Sequence, residues 1–116
     1  MSMKTENHEV ILAIVNGGYA EEVMDVAKEH GARGGTIINA RGVAREETAA
    51  FFGFTLHQDK EVLMIVVEKG IRDAVLNGIY KAMGMSKKST GIVFSLPVSD
   101  VAGLATPIAQ EIKPEE

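Results

Sequence analysis

Val62-Leu-Met-Ile-Val-Val67 is apolar at all six positions, and the architecture turns on how that run is understood. Its length and its valines and isoleucines mark a strand continuing to Glu68. A strand with one wet face alternates apolar and polar side chains. This one does not, so both of its faces want cover. Val10-Ile-Leu-Ala-Ile-Val15 behaves the same way, in a strand that ends at Asn16 before Gly17-Gly18. Neither run approaches the roughly 20 residues a membrane span needs.

Working outward, the spacing predicts a helix from about Tyr19 to His30. Ala20, Val23, Met24 and Ala27 fall on one face, and Glu21, Glu22 and Asp25 precede Lys28 as the helix dipole prefers. Gly31 stands where a C-terminal cap wants positive φ. A strand is expected over Arg33–Ala44, in which Gly34 and Gly35 admit close approach of a ligand or another backbone. Residues 45–60 show no clean period despite Phe51, Phe52, Phe54 and Leu56, and read as a loop with a short helical turn. A second helix is expected over Ile71–Met83, with Ile71, Ala74, Val75, Ile79 and Ala82 on one face and Gly84 as its stop. Gly78 inside it costs about 1 kcal/mol relative to alanine, which close helix–sheet packing would explain. Met85–Thr90 is a polar, basic loop, Gly91–Val98 the last strand, and the segment through Leu104 is expected to add one more turn.

The order strand, helix, strand, strand, helix, strand is the α+β, ferredoxin-like βαββαβ sandwich: a four-stranded antiparallel sheet with both helices on one face. The whole chain, 1–116, reads as one domain with a core at about 9–104 and polar tails. Two helices cover only one face of such a sheet. At roughly 25 cal/mol per Å² of apolar surface, leaving the other wet would be costly and prone to aggregation. The chain is therefore expected to self-associate through that face, unless its own tail folds across it.

Composition narrows the function. Twelve basic against sixteen acidic residues give a net charge of −4, which argues against a nucleic-acid binder. With no cysteine there is no disulfide framework, thiol nucleophile or zinc–sulfur site. His8, His30 and His57 lack ligand partners at short spacing, so no metal is expected. The polar N-terminus lacks the apolar stretch of a signal peptide, and the expectation is a soluble, cytoplasmic protein without membrane insertion. Ser86, Ser89, Ser95 and Ser99 have no acid–base partners nearby and no nucleophile motif surrounds them, so no enzyme and no catalytic cofactor are expected. Gly34-Gly35-Thr36 opens a strand and not a helix, which removes the dinucleotide-binding reading. Arg33, Arg41 and Arg45 gather around the same strand. Solvated surface, salt bridges between subunits, and anion binding all stay open for them. Lys87 and Lys88 are either a solvated loop or an anion contact.

The fold order, the segment Gly31-Ala-Arg-Gly-Gly-Thr-Ile-Ile-Asn-Ala-Arg-Gly42, and the phrases Phe52-Gly53 and Gly91-Ile-Val-Phe94 resemble the PII nitrogen-regulatory family, in its shorter-looped, PII-like branch. The resemblance covers about residues 9–104. It implies a homotrimer with sheets facing inward and ATP, ADP or AMP as effector in clefts between subunits. It also implies a loop over 45–60 that docks on a transporter, enzyme or regulator, in nitrogen regulation. Residue by residue, Gly35 and Thr36 fall at the nucleotide-contacting strand. Arg41, Gly42 and Arg45 fall where the loop opens beside the phosphates, and Lys87 and Lys88 fall in the phosphate loop. Glycine lets main-chain donors reach an anion and arginine offers a planar fork of donors.

The departures are specific. The loop is shorter and holds no tyrosine, since Tyr19 and Tyr80 lie elsewhere. The phosphate loop reads Met85-Ser-Lys-Lys-Ser-Thr-Gly91 with a single glycine. Pro97-Val-Ser-Asp-Val-Ala-Gly-Leu104 stands where arginines usually follow the last strand. A smaller adenine nucleotide, another anion, or no nucleotide stay open, as do a ligand-free trimeric interaction module and a metal- or amino-acid-responsive ferredoxin-like protein.

Overall fold

In the computed structural model the described residues are 2–4, 7–43, 59–85 and 91–104, with the backbone alone described at 2–4 and Met85. The elements are β1 (Ser2–Lys4), β2 (His8–Asn16), α1 (Ala20–Glu29), β3 (Thr36–Arg41), β4 (Asp59–Glu68), α2 (Lys69–Met85), β5 (Gly91–Pro97) and β6 (Asp100–Ala102). Four strands form one antiparallel sheet in the order β3-β4-β2-β5, which is the expected ferredoxin-like sandwich. β3 is shorter than its sequence suggests, and β4 starts three residues before the apolar run. The segment through Leu104 does not add a turn: it forms β6, which pairs with β1 from the expected polar tail.

Alternation along the strands sorts the side chains. Ile11, Ala13 and Val15 of β2 and Leu63, Ile65 and Val67 of β4 face the helices and are buried. They meet Ala20, Val23, Met24 and Ala27 of α1 and Val75, Ile79 and Met83 of α2 in a core that holds no aromatic ring among the described residues. The face of α2 is the expected one at Ile71, Val75 and Ile79, with one exchange: Ala74 is exposed, while Leu76 packs against the core. Gly78 is buried on the same helix. A methyl group there would sit 2.5 Å from His30 Cε1, so the ring at the end of α1 rests on the glycine. The packing that requires Gly78 is helix against helix, not helix against sheet.

Local chemistry holds α1 at both ends. No side chain of Tyr19 caps it; instead the Ala20 N–H donates to Glu61 Oε1 of β4 at 2.9 Å, so a carboxylate sits at the positive end of the dipole. At the other end Gly31 takes φ +109°. Its N–H bonds Lys28 O and that of Ala32 bonds Ala27 O, a Schellman closure. The buried Glu9 is neutralised by Arg72, whose guanidinium lies 3.0 Å from Glu9 Oε1 and also donates to Ser95 Oγ at 3.1 Å. That one side chain ties α2 to β2 and β5. Arg72 Nε approaches Asp73 Oδ1 to 2.7 Å without hydrogen-bonding alignment.

The opposite face of the sheet carries three apolar rows. They run Ile38, Val62, Ile14, Ile92; then Met64, Leu12, Phe94; then Val66, Val10, Leu96. The second row starts from Thr36 on β3, and Ile38, Val66 and Leu96 are 42%, 37% and 45% exposed. A tail folded back over this face would be residues 105–116, which lie outside the described residues.

Candidate functional site

The sequence-predicted residues fall into two groups on β3. At its start, a cleft of about 370 Å³ opens between the Gly31–Thr36 segment and the end of β4. Gly34, Gly35 and Thr36 form one wall, Met64 and Val66 the floor, and Ile71, His8 and Leu104 line the rest. Thr36 sits opposite Met64 in register, which sets both on the cleft. Gly35 is required by the packing beneath it. A Cβ there would lie 2.9 Å from Met24 Sδ and 3.1 Å from the Met64 carbonyl oxygen, so α1 and β4 press on this backbone from both sides. The cleft is therefore apolar below, with main-chain atoms along one side and Arg33 and Glu68 at its rim, 4.0 Å apart.

Arg41 and Gly42 are not part of this cleft. They lie at the far end of β3, about 16 Å along the strand at 3.3 Å per residue. Arg41 stands opposite Asp59, and Gly42 packs on Lys60, whose Cε would be 2.9 Å from a Cβ at that position. Arg45, Lys87, Lys88 and the loop phenylalanines lie outside the described residues, as does the 45–60 loop up to residue 58.

Lys60 is the residue that sequence reasoning missed. It is 5% exposed and donates from Nζ to Asn16 Oδ1 at 2.6 Å, its register partner across β2 and β4. Burial holds its amine below the ordinary value of 10.5. This covered amine fastens the start of β4 to the end of β2, at the point where the chain returns to the sheet after β3. In sequence it is a lone lysine before a strand; only the register sets it beside Asn16 and Gly42.

The burial has a measurable consequence. In the unfolded chain this amine titrates at its ordinary value, so below 10.5 the unfolded state binds more protons than the folded one. Stability from this group therefore rises as pH climbs through the folded value towards 10.5. We expect the unfolding free energy of the wild type to gain on that of Lys60→Met between pH 7 and 10, measured by urea titration. A gap that stays flat over that range would show that the amine is as well solvated folded as unfolded.

Comparison with known proteins adds a family. The sequence model described as "Nitrogen regulatory protein P-II" matches residues 8–107. No curated protein matches the chain by sequence. Among solved structures, Arabidopsis thaliana PII bound to citrate is similar at a TM-score of 0.59 and 26% identity, with 81% of this chain and 79% of that one covered. A nitrogen regulatory PII-like protein of Thiomonas intermedia, bound to ADP, AMP and bicarbonate, is similar at a TM-score of 0.64 and 15% identity, over 90% of this chain and all of that one. Among the described residues no cluster of His, Asp and Glu could hold a metal ion, and no helix is long and apolar enough to cross a membrane.

Proposed function

Because the chain belongs to the nitrogen regulatory protein P-II family, we propose that it is a homotrimeric regulator that senses an adenine nucleotide, with ADP and AMP ahead of ATP, and signals through the 45–60 loop. The observation that carries this reading is the cleft at Gly35 and Thr36. It offers an apolar floor for a flat ring and main-chain groups along one wall. The relative from Thiomonas intermedia holds ADP and AMP, which favours the smaller nucleotides, as does the absence of arginines after β5. Gly42 lies about 16 Å along β3 from this cleft, so it and Arg45, beyond it in sequence, serve the phosphate of a nucleotide in a neighbouring protomer's cleft, or a second anion. The uncovered apolar rows supply the contact between subunits, and sheets packed inward bring each cleft to a neighbouring protomer. The role is regulatory and not catalytic. The partner, a transporter, enzyme or regulator, reads the loop.

The test is melting temperature with ATP, ADP, AMP or no ligand at millimolar concentration. A ligand at 100 times its Kd adds about 2.7 kcal/mol, several degrees for a chain of this size. We expect a shift with ADP and AMP that Arg45→Ala abolishes. A melting temperature indifferent to all three would move the reading to a ligand-free trimer that only presents its loops to a partner.

A further inference from the structure

The first residues of the chain and the cleft are connected through β6. β1 and β6 pair in register, with Ser2 opposite Ala102, Met3 opposite Val101 and Lys4 opposite Asp100. Immediately after β6 the chain turns at Gly103, whose φ of +91° an L side chain rarely adopts. That turn delivers Leu104 to the cleft, which it lines together with Gly34, Gly35, Thr36 and Val66. The ribbon is fastened to the sheet on the cleft side, since Val98 N–H donates to the carbonyl oxygen of His8, itself a lining residue. Leu104 belongs to a segment with no other strand to hold it among the described residues. It follows β6 across Gly103, and the strand that pairs with β6 is β1.

We propose that β1 is a tether that sets the affinity of the cleft, by holding Leu104 in place as an apolar wall for the bound ring. This rests on the nucleotide reading above and deepens it by naming an affinity determinant outside the family's phosphate contacts. The cleft keeps about 370 Å³ with Leu104 present, so the side chain lines the space and does not plug it. Losing the wall therefore weakens binding. The occupant it suits is a planar, largely apolar ring, against which leucine buries surface without asking for a hydrogen bond. The tether operates at a distance from the ligand, through backbone pairing, and a proline at position 3 removes the N–H there and any ladder bond it donates.

The experiment compares Met3→Pro, Leu104→Ala and the double variant with wild type, all as the full chain. Leu104 is not part of the helix–sheet core, and circular dichroism checks that each variant is folded. Amide exchange is measured without ligand, and ADP and AMP affinity by calorimetry. We expect Met3→Pro to raise exchange at 101–104 and leave the β2–β4 ladder unchanged. Each single variant should weaken nucleotide binding about tenfold, with the double no weaker than Leu104→Ala alone. Unchanged exchange at 101–104 in Met3→Pro, unchanged or tighter binding in Leu104→Ala, or additive losses in the double would each overturn the tether. If wild type binds neither nucleotide, the nucleotide reading fails by itself, and the exchange comparison alone decides whether β1 holds Leu104.

Discussion

Leu12→Glu is expected to convert a trimer into a folded monomer, seen by light scattering as one 12.4 kDa species in place of one three times larger. Leu12 is at the middle of β2, with Met64 and Phe94 as its neighbours across the two adjoining strands. It points to the face the helices leave open, so in an isolated protomer a carboxylate there reaches water and the core is untouched. In the proposed assembly the same carboxylate would be taken out of water against apolar rows. An uncompensated buried charge costs several kcal/mol, and each protomer would add one. The neighbouring residue is the control. Ile11 is fully buried on the helix side, so Ile11→Glu places its charge in the core and should prevent folding at any concentration. One step along a strand thus exchanges a loss of assembly for a loss of fold, because side chains alternate between faces. A Leu12→Glu protein that still ran as a trimer would refute the assembly argued from these rows, and so would a wild type that is monomeric at micromolar concentration.

The same alternation explains why the fold was legible and where legibility stopped. Val10–Val15 and Val62–Val67 declare themselves as strands with two hungry faces, and the face of α1 follows from Ala20, Val23, Met24 and Ala27. The face of α2 was harder. Ile71, Val75 and Ile79 were legible from the helical period, but Leu76 and Ala74 both border that face, and which of them packs is settled by neighbours remote in sequence. β1 and β6 carried no signal, since three-residue strands containing Ser, Lys, Asp and Ala have neither period nor hydrophobicity to show. Within the candidate site, Gly35 and Thr36 were legible because a glycine pair opening a β-branched run has few other uses. Lys60 was not, because its burial comes from Asn16 and Gly42, which only the pairing of β2, β3 and β4 brings to it. Leu104 was hidden for the same reason. Arg72 bridging Glu9 and Ser95 depends on three elements at once, and no window of sequence contains it.

Gly91→Ala is expected to be the most damaging exchange of a single hydrogen for a methyl group in the described chain. Gly91 opens β5 opposite Val15, and a Cβ there would fall on the carbonyl oxygen of Ile14, with Ile14 C at 3.2 Å and Val15 Cα at 3.3 Å. All three are backbone atoms of the strand β5 pairs with, so no rotamer can turn aside and relief requires β5 to part from β2. Overpacking of this kind reaches about 3 kcal/mol, which for a chain of this length is a drop of roughly 10 °C in melting temperature. Gly70→Ala is the comparison at equal protein concentration. It lies in the first turn of α2 with nothing within 4 Å of the added methyl, and should be neutral or gain up to about 1 kcal/mol of helix propensity. The difference between the two separates steric contact from any general intolerance of side chains at glycines. If both melted within a degree or two of wild type, the close approach of β5 to β2 would be wrong. The damage should also reach the proposed site, because Gly91 is where the segment holding Lys87 and Lys88 joins the sheet. A strand start displaced from Val15 moves that anchor, so nucleotide affinity in Gly91→Ala should fall even at temperatures where the protein remains folded, whereas Gly70→Ala leaves it unchanged.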